Sequence, residues 1–291
     1  MSFLAQWLSR RPLWLLHFMG GFLGRLAYAL SPAYRRRFKT NAQRAGLSPQ
    51  VSRLAIAEAG RLVLELPFLW LRPAAEPVRP SLVVHGAEQV EAAHAQGRGI
   101  VFLTPHLGCF EVVAQAIAER FSTRHGPITV LYRPARQAWL RKLMEGSRAR
   151  PGVATAPATL AGVRQLIRAL RRGEAVGLLP DQVPPVGMGV WAPFLGQPAY
   201  TMTLAARLVQ QTGAVPLLVW GERLPGGAGY AVRFSAFEGT LPADANAQAE
   251  SAAVINRAME RLILQCPQQY LWGYNRYKQP RAPASGETLD A

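Results

Sequence analysis

"GIVFLTPHLGCFEVVAQ", residues 99–115, decides the reading of the fold. Its first half, Ile100 to Leu103, is an unbroken apolar run, the pattern of a strand buried on both faces of a sheet. Its second half, "CFEVVAQAIAERF" from Cys109 onward, has the spacing of a helix. The two are joined by a turn that holds Pro105, His106 and Gly108. A strand that feeds straight into a helix is half of a βαβ unit, so strands and helices should alternate around it.

They do. "LVVH" (82–85), "PITVLYR" (127–133) and "AVGLLPDQ" (175–182) read as strands, and "AEQVEAAHAQG" (87–97), "ARQAWLRKLMEGSRAR" (135–150) and "TLAGVRQLIRALRRG" (159–173) as helices. A helix through Gln211, the strands "AVPLLVWGER" and "GYAVRFSAFEG", and a helix ending near Cys266 complete the series. The expected fold is therefore α/β, with a mostly parallel central sheet flanked by helices. Between Val183 and Thr201 lies "VPPVGMGVWAPFLGQPAYT", whose length and Pro/Gly content suggest a functional lid. No internal repeat is found.

Upstream the character changes. "SRLAIAEAGRLVLELPFLWLR" is helical up to Pro73, and "RPAAEPVRP" separates it from the strands and helices beyond. We divide the chain into an N-terminal helical membrane-associating region (1–72), an α/β domain (81–280) and a flexible tail (282–291). "PLWLLHFMGGFLGRLAYAL" has 19 residues, near the roughly 20 that cross a bilayer, yet it carries His17 and Arg25. The basic "YRRRFK" behind it argues against export. An amphipathic segment lying in the cytoplasmic leaflet fits best, with a buried first helix of a soluble domain as the rival.

Charge points the same way. The chain carries 33 Lys and Arg against 17 Asp and Glu, a net charge of +16, and no acidic residue precedes Glu58. Such a field attracts an anionic membrane surface, nucleic acid or an acidic protein without choosing among them. Two cysteines, Cys109 and Cys266, cannot form a disulfide framework or a metal cluster. Neither Gly-x-Ser-x-Gly nor His-Glu-x-x-His occurs, which removes the usual signatures of a serine hydrolase and a zinc protease.

In an open α/β sheet, ligands bind beyond the carboxyl ends of the strands. His106, Arg133 and Asp181 each follow such an end, so three polar groups from three strands are expected to converge on one crevice. Five residues of continuous helix turn through about 500°, so His106 can meet Glu111 if the histidine lies in the turn and the glutamate in the first helical turn. The carboxylate would then accept an imidazole N–H, fix the tautomer and make a general base for a hydroxyl. The helix start offers backbone N–H groups to a developing oxyanion. Alternatively, Glu111 merely complements the helix dipole.

"TPHLGCFE" resembles the His-x4-Asp/Glu motif of glycerolipid-type acyltransferases, in the form found in the late acyltransferases of lipid A biosynthesis, the lauroyl and myristoyl transferases. Further blocks fall in family order across about residues 35–278: "YRRRFKTNAQRAG", "VLYRPAR", "GEAVGLLPDQ" with "FLGQPAYT", and "CPQQYLWGYNRYK". The chain departs at Cys109 and Phe110, where the family commonly has a small polar residue and Trp, and near Tyr274 and Asn275.

The resemblance implies that His106 deprotonates a hydroxyl of a lipid acceptor while Glu111 holds the imidazole. The alkoxide would attack an acyl thioester carried by acyl carrier protein or coenzyme A, with neither metal nor cofactor. Arg133, Asp181 and Gln182 would bind substrate, although an ion pair for Arg133 and a plain turn for the other two fit equally. The acceptor hydroxyl would be that of a 3-hydroxyacyl group on a lipid A precursor, at the cytoplasmic face of a Gram-negative inner membrane. Expected partners are acyl carrier protein, the lipid acceptor and the anionic membrane, with no nucleic acid. Alternatives are the same chemistry on another lipid or carrier-bound acceptor, or a non-catalytic basic membrane-binding protein. Cys109 as a nucleophile is disfavoured, since the family position is usually not Cys, and Trp191 with Phe194 would shape an acyl groove.

Overall fold

The computed structural model describes residues 3–73, 76–78, 81–132 and 150–282. The quoted stretch forms β2 (Ile100–Leu103), every residue of it buried, followed by α6 (Phe110–His125). Because β2 carries no polar side chain, both faces must be covered. Its companions in the sheet are β1 (Leu82–His85), β3 (Ile128–Tyr132), β4 (Val153–Pro157), β5 (Ala175–Leu178), β8 (Val215–Arg223) and β9 (Tyr230–Ala236). The seven strands lie in the order β1-β9-β8-β2-β5-β3-β4, which puts β2 at the centre. All neighbours pair in parallel except β8 with β9. The mostly parallel α/β sheet expected from the sequence is thus observed.

Helices α5 (Ala87–His94) and α6 and helices α7 (Leu160–Arg171), α8 (Leu204–Thr212) and α9 (Gln248–Gln265) pack around this sheet, and its inward residues divide into two apolar clusters. One holds Val101, Leu103 and Leu178 with α7, α8 and α9; the other holds Ile100 and Phe102 with α5 and α6. Alternate residues of β2 go to opposite clusters, as the two-residue period of a strand requires.

Two differences from the sequence reading stand out. Strand β4, "VATAP", is short and rich in small residues, and carries little β signal of its own. The expected lid is, over Gly189–Phe194 and Gln197–Met202, an antiparallel hairpin of β6 and β7. It is fastened down: Asn256 donates to the Pro193 carbonyl at 2.8 Å, and buried Arg276 donates to the Tyr200 carbonyl at 2.6 Å. Residues 135–149 of the helix expected over 135–150, and Arg133, lie outside the described residues.

The N-terminal helices α1 (Phe3–Ser9), α2 (Leu13–Leu30), α3 (Pro32–Arg44) and α4 (Pro49–Leu71) form a layer that meets α6 and the turns at Pro225–Gly227 and Pro267–Gln269. Helix α2 is long and apolar enough to cross a membrane, but it is seated along α4. Their backbones nearly touch where Gly20 and Gly24 face Gly60; a Cβ on Gly60 would stand 2.0 Å from the Gly20 oxygen. Deeper in the layer, His17 meets Glu65 at 3.1 Å, and Arg223 at the end of β8 pairs with Glu58 at 3.0 Å and Glu65 at 3.3 Å. All four are buried. Removing one member would strand the rest as uncompensated charge, so this cluster fixes how α2 and α4 sit on the sheet.

The glycine contact gives a test of sign. An ordinary mid-helix Gly→Ala change gains roughly 0.5–1 kcal/mol. Gly60→Ala should instead destabilise by about 1–3 kcal/mol, because the added methyl forces α2 off α4. Denaturant unfolding in detergent measures this, and an unchanged or raised midpoint would contradict the contact.

Candidate functional site

Strands β2 and β5 pair with Leu103 opposite Leu178, and the ladder continues one step further through Thr104 N to the Leu178 carbonyl at 3.1 Å. Three residues beyond each paired leucine stand His106 and Asp181. Register therefore delivers both to the same level above the sheet. The Asp181 carboxylate, 1% exposed, accepts twice from His106: from the backbone N–H at 2.9 Å and from ring Nδ1 at 2.7 Å.

Burial by itself would raise the Asp181 carboxyl, but the His106 ring, its hydrogen bonds and the Arg276 guanidinium outweigh that and hold it below the usual carboxylate range. The aspartate is ionised at neutral pH, so it accepts the Nδ1–H, and in the neutral ring the lone pair then lies on Nε2. That second nitrogen lies 3.0 Å from the side-chain nitrogen of Gln182, whose amide donates to it. The edge-to-face contact of Phe110 with the imidazole fixes the ring's remaining freedom.

The turn is locked from beneath. Gly108 has φ +59°, and a Cβ there would lie 2.0 Å from the Gly221 oxygen, so only glycine fits. Its N–H donates to the Gln269 carbonyl at 3.0 Å, that of Cys109 to Gly221 at 2.7 Å, and that of Leu107 to Pro105 at 2.7 Å. The C-terminal segment returns the contact, Leu271 N donating to the His106 carbonyl at 3.3 Å. Asn41, at the end of the basic block noted in the sequence, donates to the carbonyls of Trp272 and Tyr274 and ties α3 to the same segment.

Of the residues read from the sequence, His106, Asp181 and Gln182 are brought together within hydrogen-bonding distance, and Glu111 lines the same cleft from the first turn of α6. The imidazole's ring nitrogens are engaged by Asp181 and Gln182, whereas Glu111 was expected to hold the ring; its carboxylate accepts from Trp70 Nε1 at 3.1 Å. The reason is register: an adjacent parallel strand delivers its acid to the imidazole's own level. Tyr132 lines the cleft, and Arg133 beyond it is outside the described residues. Cys109 is fully buried, and burial, reinforced by Glu65, pushes its thiol well up, as suits packing and not nucleophilic attack.

Sequence reasoning missed Arg276, Tyr270 and Trp70. Arg276 is buried, stacks over Phe194 at 4.9 Å and bonds Thr201 Oγ1 at 2.7 Å, joining the hairpin to the surroundings of Asp181. Tyr270 is raised strongly, by burial first and by the neighbouring Asp181 charge second. Only the position of the "CPQQYLWGYNRYK" block hinted at either. Phe194 packs under Arg276, and neither it nor Trp191 is among the described residues lining the cleft.

From the imidazole a cleft of about 400 Å³ runs between α6, α7 and α8. Its walls are largely apolar, from Ala114, Leu131, Val163, Met188 and Leu204 among others, with Arg207 on α8 as the one arginine or lysine among the described lining residues. An imidazole at the mouth of a largely apolar cleft is an arrangement suited to an enzyme acting on the polar end of a hydrophobic substrate.

The family model described as bacterial lipid A biosynthesis acyltransferase matches residues 4–279. The chain belongs to this family. It is 27% identical over 222 residues to the lipid A biosynthesis palmitoleoyltransferase of Escherichia coli (strain K12), covering 75% of this chain and 68% of that protein. To the lipid A biosynthesis lauroyltransferase of the same organism it is 28% identical over 221 residues, 75% and 69% of the two chains. A lipid A biosynthesis acyltransferase of Haemophilus influenzae matches at 25% over 190 residues, 64% and 56% of the chains. The protein is accordingly an O-acyltransferase of the lipid A secondary acylation type.

The two candidate acids can be told apart. Asp181→Asn should lose the downfield imidazole N–H proton in NMR spectra and about a hundredfold or more in kcat. Glu111→Gln should keep that proton signal. The reverse pattern would return the imidazole to Glu111.

Proposed function

We propose that the protein transfers a fatty acyl chain from acyl carrier protein to the hydroxyl of a 3-hydroxyacyl group on a lipid A precursor, with His106 as general base, at the cytoplasmic face of the inner membrane. The observation that carries this reading is the outward-facing Nε2 of His106, backed at 2.7 Å by an ionised, buried Asp181 and opening on an apolar cleft. Nε2 takes the hydroxyl proton as the oxygen attacks the thioester carbonyl carbon. When the tetrahedral intermediate collapses, the carbon–sulfur bond breaks and the imidazolium returns its proton to the departing thiolate. The apolar walls receive the acyl chain and keep water from the ester-forming carbon.

Two surface features support the partners. Helix α7, which supplies Leu160 and Val163 to the cleft, exposes Arg164, Arg168 and Arg171 on its outer side. An acidic carrier approaching the cleft would meet a favourable field there. On α2, Trp14, Phe18, Phe22, Leu26 and Leu30 recur every fourth residue, all exposed, the phenylalanine at position 18 to 73%. Arg36, Arg37 and Lys39 are exposed just beyond. Such a stripe beside cations suits a helix lying in the interfacial plane of an anionic leaflet. Lying flat also keeps His17 on Glu65, a contact that an independent spanning position would break.

His106→Ala should lower kcat by about 10²- to 10⁴-fold while vesicle binding is retained. Conversely, Phe18→Ser with Phe22→Ser should weaken flotation with anionic vesicles and leave turnover of detergent-dispersed acceptor within about threefold. Full turnover by the His106 variant would end the base assignment. Cys109→Ala should retain transfer within about tenfold, whereas its complete loss together with a trapped acyl-protein in the wild type would indicate a covalent route.

A further inference from the structure

Acyl transfer through a tetrahedral intermediate places a negative charge on the former carbonyl oxygen, and something must donate to it. The turn that carries the base cannot. Its four backbone N–H groups are already spent: His106 on Asp181, Leu107 on Pro105, Gly108 on Gln269 and Cys109 on Gly221, all at 2.7–3.0 Å. The expectation that the start of α6 would supply donors therefore loses the amide of its N-cap residue, Cys109.

Gln182 offers what the turn does not. Its side-chain amide sits 3.0 Å from His106 Nε2, the atom that must receive the hydroxyl proton, so in the resting site it occupies the place the acceptor hydroxyl takes. Its backbone is held on both sides: Asp181 is buried beneath the imidazole, and Val183 N donates to the Tyr274 hydroxyl at 3.0 Å. Its side chain lines the cleft, tied there by the contact with Nε2. A hydroxyl on Nε2 stands roughly 2.8 Å away. Its target carbon lies about 3–3.5 Å beyond in a near-attack arrangement. Rotation about the glutamine's side-chain torsions carries the displaced amide across that short span to the carbonyl oxygen.

We propose that Gln182 caps the base in the resting enzyme and, once displaced by the acceptor hydroxyl, donates its amide N–H to the thioester oxygen in the transition state. This rests on His106 as the base. The electron pair of the new carbon–oxygen bond pushes the carbonyl π pair onto the oxygen that Gln182 binds. Re-formation of that π bond expels the thiolate, which takes the proton from Nε2.

The test is steady-state kinetics of the full chain in detergent, with an acyl-carrier thioester as donor and a 3-hydroxyacylated phosphoglycolipid as acceptor. Gln182→Ala and the near-isosteric Gln182→Met should both lower kcat by about 10²- to 10³-fold, with each KM within about threefold. A phosphonate mimic of the tetrahedral intermediate should lose affinity by a comparable factor. The imidazole N–H proton signal should persist in both variants, which shows the His106–Asp181 pair intact. Unchanged or faster turnover would reduce Gln182 to a cap, and a loss confined to acceptor KM would make it a ground-state contact; either overturns the proposal. Turnover by His106→Ala would instead overturn the base reading beneath it.

Discussion

Two parallel strands lying side by side can place two side chains in contact above the sheet without any help from local sequence, provided their ends are in register. Here Leu103 lies opposite Leu178, and the residues three further on, His106 and Asp181, meet at 2.7 Å. Shifting that pairing by one residue would move the histidine about 3.3 Å along the strand and turn its neighbours to the other face. The pair thus depends on the apolar matching of Val101, Leu103, Val176 and Leu178, four core residues with no chemistry of their own. The acid sits at the end of a fully buried strand, which lets a desolvated carboxylate with well-placed donors persist in its charged form.

The remaining parts of the molecule converge on the same turn from the opposite side. Gly221, on β8, takes the Cys109 N–H, and Gln269 both accepts from Gly108 N and brackets Arg223 through its side-chain amide, at 2.9 Å and 3.0 Å. Arg223 in turn holds Glu58 and Glu65 on α4, and Glu65 holds His17 on α2. A continuous set of hydrogen bonds therefore runs from the helix that carries the exposed apolar stripe to the turn that carries the imidazole. Each charged link is buried, so each is expensive to leave unpaired, and the set acts as a rigid brace for the turn.

Much of this was legible in the chain. Period and punctuation alone mark β2, the turn and α6, because an apolar tetrapeptide, a Pro-x-x-Gly turn and an amphipathic run differ in kind. The rule that ligands gather at carboxyl strand ends picks out His106 and Asp181 separately. What it does not contain is strand order, and without knowing that β2 lies beside β5 the nearer acid in sequence, Glu111, is the natural partner for the imidazole. The hairpin of β6 and β7 was hidden for a different reason. Its Pro and Gly content signals a loop, and what makes it a hairpin is long-range: Asn256 on α9 and Arg276 beyond it supply donors to its carbonyls. Arg276 itself looks like any basic residue near a C-terminus until its burial is seen.

Burial of the charges has a consequence for how the site handles its substrate. A general base gains from being close to apolar walls, since hydrogen bonds strengthen where water is excluded, yet the same walls penalise any charge formed during reaction. In the mechanism proposed above, proton transfer to Nε2 creates an imidazolium just as the carbonyl oxygen becomes negative, so the two charges appear together and a short distance apart. Asp181 answers the first from behind the ring. The second must be met from the cleft side, and with Gln182 as the proposed donor this sets the order of events: the acceptor has to take its place on Nε2 before the amide at that nitrogen is free to serve the oxygen. A site built this way couples the arrival of the correct hydroxyl to the stabilisation of its own transition state, which disfavours reaction of the thioester before the acceptor has bound.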